Sequence, residues 1–234
     1  MIKRKITKQI KVGNVLIGGD APVSIQSMCN TDTRDVDATI AQIKSLAEEG
    51  CEIIRIAIPD MAAAEKVSEI KKLSPIPLIA DIHFDYKLAL ECLERGIHGL
   101  RINPGNIKQK DKVKLIVDKA KENDIPIRIG VNAGSIDEKK YGEPTPEALV
   151  DSALDHIKIL EDLDYRNIKV SLKAHDVETM VKAYRIMSEK KDYPLHLGVT
   201  EAGTSFQATV KSAIGIGSLL LDGIGDTVRV SVTG

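Results

Sequence analysis

Eight short apolar runs, beginning near Val23, Cys51, Pro77, Gly99, Pro126, Ile168, Leu195 and Thr227, alternate along this chain with segments of helical period. Each run reads as a buried strand, and helical spacing between two runs reads as a crossover that returns the chain parallel to itself. Such crossovers are right-handed, and eight of them close on themselves, so the pattern predicts one α/β domain, a (β/α)8 TIM barrel. An open doubly wound sheet is the alternative, but no GxGxxG turn follows the first run.

The intervening segments carry the stripes a crossover helix needs. Asp37 to Gly50 puts Ile40, Ile43, Leu46 and Ala47 on one face and stops at glycine, and Val67, Ile70 and Leu73 continue the period in the next segment. Val113, Ile116, Val117 and Ala120 mark another helix, and Thr145-Pro146 supplies an N-cap and a first-turn proline ahead of Leu149, Ala153, Leu154, Ile157 and Leu160. Ahead of the first strand, Ile10, Val12, Val15 and Ile17 flank Gly13-Asn14, which predicts a β-hairpin plugging the bottom of the barrel. The expected division is a hairpin segment over 1–22 and a barrel over 23–234.

Five cations interrupt the apolar runs: Ile54-Arg55-Ile56, Leu100-Arg101-Ile102, Ile127-Arg128-Ile129, Leu172-Lys173-Ala174 and Val228-Arg229-Val230. An ionised group inside a strand costs several kcal/mol unless it is compensated, so the five imply a shared anion or an internal ion-pair network. In a barrel all the strands' carboxyl ends meet at one face, where the active site is built, so the five are expected to converge there. Asp81, His83, Asn103, Asn132, Glu201 and Ser231 follow strand runs at the same end. A structural network would draw on Asp81, Glu201 and Asp226, but three carboxylates do not match five cations. A multiply phosphorylated ligand would supply the missing charge through bidentate guanidinium contacts.

With 33 basic against 34 acidic residues and no lysine-rich tail, the chain is not one that binds nucleic acid or an anionic membrane. Its apolar runs fall well short of the roughly 20 residues needed to span a bilayer, and no secretory segment follows Met1, which predicts a cytoplasmic protein. Cys29, Cys51 and Cys92 form no CxxC pair and read as buried structural thiols. His83 reads as a ligand contact rather than a metal ligand, because no second histidine or cysteine lies at ligand spacing. His98 and His156 read as structural or surface residues, while His175 and His196 stay ambiguous. Asn103-Pro104-Gly105-Asn106 and Asn132-Ala133-Gly134-Ser135 are strand-end loops whose glycines would let backbone amides approach an anion. Glu201 is open to roles as a base, as a metal-cluster ligand or as an ion-pair partner.

Several long segments then carry a resemblance: Ser24-Ile25-Gln26-Ser27-Met28, Arg101 to Ile107, Gly130-Val131-Asn132, Ser171-Leu172-Lys173-Ala174, His196 to Thr204 and Gly223 to Ser231. In this order they closely resemble the 4-hydroxy-3-methylbut-2-enyl diphosphate synthase family. The resemblance implies reductive ring opening of 2-C-methyl-D-erythritol 2,4-cyclodiphosphate in isoprenoid precursor biosynthesis, with two electrons from a [4Fe-4S] cluster. Carried over by motif, the substrate anchors would be Arg55, His83, Arg101, Asn103, Arg128, Asn132, Lys173, Arg229 and Ser231, with Glu201 near the reacting centre in proton handling. The resemblance also implies a homodimer and a ferredoxin or flavodoxin type electron donor.

Members of the family continue past the eighth strand into its helix and a cysteine-bearing cluster domain, whereas this chain stops at Thr233-Gly234. The expectation is a barrel without its eighth helix and without the cluster domain. Cys29, Cys51 and Cys92 are not in the family's cluster motif, so no cofactor or metal is assigned to this stretch, which would bind the cyclodiphosphate without turning it over. Two other readings compete. A pteroate-synthase-like transferase would use Asp81 and Lys173 for a pterin, and a non-catalytic phosphate-binding module would need neither Arg101 nor Glu201 for its role.

Overall fold

A computed structural model describes residues 2–83, 85–103, 107 and 110–232. A hairpin of β1 (Ile10–Val12) and β2 (Val15–Ile17) precedes β3 (Ser24–Met28), α1 (Val36–Glu48), β4 (Ile53–Ala57), α2 (Met61–Glu65), α3 (Val67–Leu73), β5 (Leu78–Asp81) and α4 (Tyr86–Glu94). Then follow β6 (Gly99–Ile102), α5 (Lys110–Glu122), β7 (Ile127–Asn132), α6 (Glu138–Tyr141), α7 (Pro146–Asp162) and β8 (Ile168–Lys173). The chain ends with α8 (Val177–Lys190), β9 (His196–Leu197), α9 (Ser205–Leu221) and β10 (Thr227–Val228).

The strands from β3 onward form one parallel sheet in the order β8-β7-β6-β5-β4-β3-β10-β9. A single parallel bridge, Val170 to Leu195, brings its two edges together, which gives the expected α/β barrel. That seam is thin because β9 is only two residues long, and a side chain reinforces it. Tyr184 of α8 is fully buried, and its hydroxyl accepts the Leu172 amide at 3.0 Å and donates to the His196 carbonyl, tying β8 to β9 where the ladder is weakest. Among the described residues no helix follows β10.

The crossover helices start where short polar side chains replace missing intrahelical acceptors. Asp35, Asp60, Asp85 and Asp176 each accept a backbone amide of the first turn of α1, α2, α4 and α8, and Thr145 accepts Ala148 N ahead of Pro146 in α7. Their apolar stripes, among them Ile40, Ile43, Val67, Ile70, Ile116, Leu149 and Ile157, pack on the outward side chains of the strands in one continuous core. Leu73, expected on the buried face, is 47% exposed as the last residue of α3.

The hairpin lies at the amino end of the barrel. Ile10, Val12 and Ile17 pack against Ile53 and Ile79, which begin or lie early in β4 and β5, so the predicted bottom plug is present. Gly13 makes its turn at φ +59°, and a Cβ there would meet the Pro77 ring at 2.8 Å, so the turn requires glycine both for conformation and for space. Asp226, just before β10, also belongs to this end. It accepts from Thr7 Oγ and from the Leu195 amide and faces Arg4, so it anchors the N-terminal segment. No helix among the described residues is long and apolar enough to cross a membrane.

Candidate functional site

A strand sends alternate side chains to opposite faces, and in β8 this rule separates two chemistries. Ile168, Val170 and Leu172 enter the apolar core under the helices, which leaves Lys169, Ser171 and Lys173 facing the barrel interior. Neighbouring strands do the same in register. Asp81 pairs with Arg101, Arg101 with Arg128, and Arg128 with Lys169, so four ionisable residues stand side by side across β5 to β8.

Above that row, at the carboxyl ends of the strands, a cavity of about 210 Å³ is lined by Arg55, Asp81, His83, Arg101, Arg128, Asn132, Ser171, Lys173, Thr200, Arg229 and Ser231. This is smaller than the roughly 300–1,000 Å³ of pockets for drug-sized molecules, and five of its lining residues are cations. Asp81 is the one carboxylate among them. Its Oδ1 lies 3.1 Å from Arg101 Nη1 and its Oδ2 lies 3.4 Å from Arg55 Nε and 3.7 Å from His83 Nε2. Arg55 also donates from Nε and Nη2 to the Met28 sulfur at 3.2 and 2.8 Å, and Arg229 Nη2 donates to Ser231 Oγ at 3.3 Å.

Burial and the neighbouring cations act together on Arg55, Arg128, Lys173 and Arg229. Burial pushes Arg55 down to about 10, opposed by Asp81 and aided by Arg229 and Arg101. Arg128 falls well below the ordinary range through burial and then through Arg55 and Arg101, and Lys173 does so through burial and then through Arg229 and Arg128. Burial alone would raise Asp81, but the bond to His83 and the guanidiniums of Arg55, Arg101 and Arg128 outweigh it and hold the carboxyl well below the usual range.

Two glycines make room for the cations. A Cβ on Gly130 would stand 2.8 Å from Arg101 Nε, and one on Gly198 would stand 2.7 Å from Lys173 Nζ and 2.5 Å from the Arg229 carbonyl oxygen. At Gly130 the obstacle is the buried Arg101 guanidinium paired with Asp81, so Gly130→Ala should cost about 1–3 kcal/mol of stability. It should also shift the Arg101 guanidinium within the cavity and weaken anion binding about tenfold, which corresponds to roughly 1.4 kcal/mol. Parallel thermal melts and calorimetry check this, and an unchanged affinity would show that Arg101 tolerates the displacement.

Eight of the ten residues singled out from sequence therefore line one cavity: Arg55, His83, Arg101, Arg128, Asn132, Lys173, Arg229 and Ser231. Asn103 is half-buried at the end of β6, outside the lining, and Glu201 is exposed at φ +49° in the loop before α9. Pro104, Gly105 and Asn106 of the expected anion loop lie outside the described residues, while Ala133–Ser135 forms a 3-10 turn. The expectation of a few carboxylates near the cations is corrected to one, because Asp226 sits at the opposite end and Glu201 is exposed outside the cavity's lining. Ser171, Thr200 and Lys169 were not foreseen. The alternation Lys169-Val170-Ser171-Leu172-Lys173 was visible, and it needed only the inward parity of Lys173 to extend it.

The histidines separate by position. His98 accepts the Leu78 amide at 3.1 Å beneath the barrel, His156 is buried on α7, His175 is exposed, and His196 is wholly buried inside the barrel. The thiols do not suit an iron-sulfur cluster, whose ligands are thiolates. Burial pushes Cys29 up to about 11 and Cys92 up to about 12, and it raises Cys51 as well. Among the described residues no three His, Cys, Asp or Glu side chains group to hold a metal.

Comparison with known proteins adds a family to this geometry. The family described as the GcpE TIM-barrel domain matches residues 7–234. The 4-hydroxy-3-methylbut-2-en-1-yl diphosphate synthase (flavodoxin) of Geobacter sulfurreducens is 64% identical over 231 residues, covering 97% of this chain and 65% of the relative. The protein of the same name from Clostridium perfringens is 58% identical over 236 residues, covering 100% of this chain and 68% of the relative. The chain thus spans about two thirds of the length of these relatives. The solved dihydropteroate synthase of Yersinia pestis has a TM-score of 0.66 at 10% identity, covering 96% of this chain and 91% of that one, which shows a shared fold alone.

Proposed function

The chain belongs to the GcpE TIM-barrel family, and from that premise we propose that its cavity binds 2-C-methyl-D-erythritol 2,4-cyclodiphosphate as the substrate barrel of a 4-hydroxy-3-methylbut-2-enyl diphosphate synthase. The observation that carries this reading is the five-to-one imbalance of cations over carboxylate in a cavity of about 210 Å³. A structural ion-pair network would balance its charges internally. This one does not, and a compact ring bearing two phosphates would.

The roles follow from what each side chain already touches. Arg55 and Arg101 are oriented by Asp81, so their remaining donors are aimed before any anion arrives. Arg128 Nε and Nη1, Lys173 Nζ and Arg101 Nε are buried without a partner among the described residues, and phosphate oxygens are the acceptors that match them. Arg229 with Ser231, and His83 and Asn132 at the rim, complete the lining set, and Asn103, just after β6 and outside the lining, is the further anchor proposed. Glu201 is the group proposed for proton handling, from a loop that carries it in a backbone conformation few non-glycine residues adopt.

The reaction in this family draws its two electrons from a [4Fe-4S] cluster. The described residues do not fit that cluster, so the chemistry of this stretch is binding, orientation and proton placement. A flavodoxin type donor, as in the names of the relatives, and a homodimer complete the proposal for the whole enzyme. Calorimetry with the cyclodiphosphate tests the core of it. Binding should be saturable and should weaken as salt is raised, because the rim of the cavity is open to screening. No binding at low salt would remove the proposal, and sedimentation showing only monomer would remove its dimer.

A further inference from the structure

We propose that Lys169 is a positioning residue behind the cation ring, gaining a proton when an anion fills the cavity and losing it when the cavity empties, without touching the anion itself. The inference rests on the proposed anion site, and its observations lie one layer beneath it.

In most barrels of this kind, layers of branched apolar side chains fill the interior. Here the layer under the cavity contains Ser24, Gln26, Lys169, His196 and Thr227, all buried. Ten buried side-chain nitrogen and oxygen atoms lack a partner among the described residues, and seven of them belong to this layer and the ring above: Gln26 Nε2, Arg101 Nε, Arg128 Nε and Nη1, Lys173 Nζ and both ring nitrogens of His196. Lys169 is 1% exposed, and its Nζ reaches Gln26 Oε1 only at 3.5 Å.

The register makes this layer electrostatically unbalanced. Along Asp81, Arg101, Arg128 and Lys169, the carboxylate stands at one end and Lys169 at the other, three strands away from any compensation by Asp81. The groups facing Lys169 are Arg128 from β7, Arg55 from β4, His196 from β9 and Asp226 from below β10, while Lys173 lies four residues further along its own strand. From β3 it meets only the uncharged Gln26. Arginines keep their protons at all ordinary pH, so the row can relieve its repulsion only at a lysine. Burial, and then Arg128, push Lys169 down to about 7, with Asp226 opposing.

The sign of the linkage follows. An anion in the cavity attracts protons to the row and raises Lys169 above its value in the empty protein, so binding at a pH between the two values takes up a proton. Below about 7 Lys169 is already charged and adds nothing. From there up to the value in the filled protein, affinity falls as each unit of alkalinity makes the proton harder to acquire, and beyond it affinity levels off. The direction of the row also explains why the lysine is recessed. A group in contact with the anion would be charged and discharged together with the contact, whereas Lys169 adjusts the field on Arg128 while leaving the contact geometry unchanged.

The test is calorimetry at pH 8 in buffers of different ionisation enthalpy, comparing wild type with Lys169→Met, and with Lys169→Gln should the first variant not fold. Two probes are used. The cyclodiphosphate carries no proton that titrates near neutrality, and sulfate is an anion of fixed charge that presumes no substrate. Wild type should take up protons at pH 8 and far fewer at pH 6, and Lys169→Met should take up about one proton fewer at pH 8. Equal uptake in wild type and both variants would overturn the inference, as would binding by wild type with no proton uptake. Lys169-dependent uptake with sulfate but no binding of the cyclodiphosphate would leave the inference standing and remove the substrate reading. Binding of neither probe would remove both. A further measurement needs no variant: the Lys169 Nζ resonance of wild type should move to the charged form on adding anion at pH 8, and a stationary resonance counts against the proposal.

Discussion

Arg128→Met is expected to abolish tight binding of the cyclodiphosphate and, at the same time, to make the protein more stable. The two effects have one cause. Arg128 is 3% exposed, its Nε and Nη1 have no partner among the described residues, and its neighbours in register are another arginine and a lysine. Burial and the charges of Arg55 and Arg101 oppose its ionised form, so in the empty protein the guanidinium is a cost. Replacing a buried charge of this kind by an apolar side chain of similar length is commonly neutral or stabilising by about 1–4 kcal/mol. Each charge-assisted hydrogen bond lost to the anion costs about 1.5–3 kcal/mol, so losing two lowers affinity about a hundredfold or more. Calorimetry and thermal melting on the same samples read both. A melting temperature that falls while affinity holds would mean that Arg128 is a structural residue with a partner inside the fold.

Asp81→Asn should do the reverse to stability. Asp81 is 3% exposed and holds Arg55, Arg101 and His83 at 3.4, 3.1 and 3.7 Å. Removing its charge leaves two buried guanidiniums facing each other with no anion between them. Breaking a buried pair by deleting one partner costs about 3–5 kcal/mol. For a chain of this size that lowers the melting temperature by about 10 °C. The variant should recover more of its lost stability in sulfate than wild type gains, because an external anion then replaces the missing carboxylate. A melting temperature within about 2 °C of wild type, a shift corresponding to less than about 1 kcal/mol, would show that the ring needs no internal anion. The pair of variants also separates the two explanations of the cation ring. A structural network predicts that both lose stability, while a ligand cage predicts opposite signs.

The legible part of the fold was its rhythm. Starts near Val23, Cys51, Pro77, Gly99, Pro126, Ile168, Leu195 and Thr227 all fall within two residues of a strand, because an apolar run bounded by turn residues is a local signal. The hairpin around Gly13-Asn14 was legible for the same reason, since the turn needs a residue at positive φ and the flanking alternation sets its register. The cations were legible as an energetic anomaly. What escaped was depth. Arg128 was expected at the strands' carboxyl face with the other four cations, yet it is only the second residue of β7, and Lys169 was passed over although it lies one residue inside β8. Asp226 was counted with the counter-charges, and the bonds to Thr7 and Leu195 place it at the other end of the barrel.

The sequence by itself determined that apolar strands alternate with crossover helices and that five cations are embedded in those strands. Both are properties of neighbours along the chain: periodicity decides which face a side chain takes, and desolvation makes an ionised residue in an apolar run conspicuous wherever the run ends up. The tertiary structure alone decided which of those residues stand side by side. Strand register is set by hydrogen bonds between segments tens of residues apart, and it put Lys169 next to Arg128, Lys173 next to Asn132 and Asp81 at one end of the row. Charge interactions depend on those distances, so the field inside the barrel, and with it the lysine that responds to it, exists only once the sheet has closed.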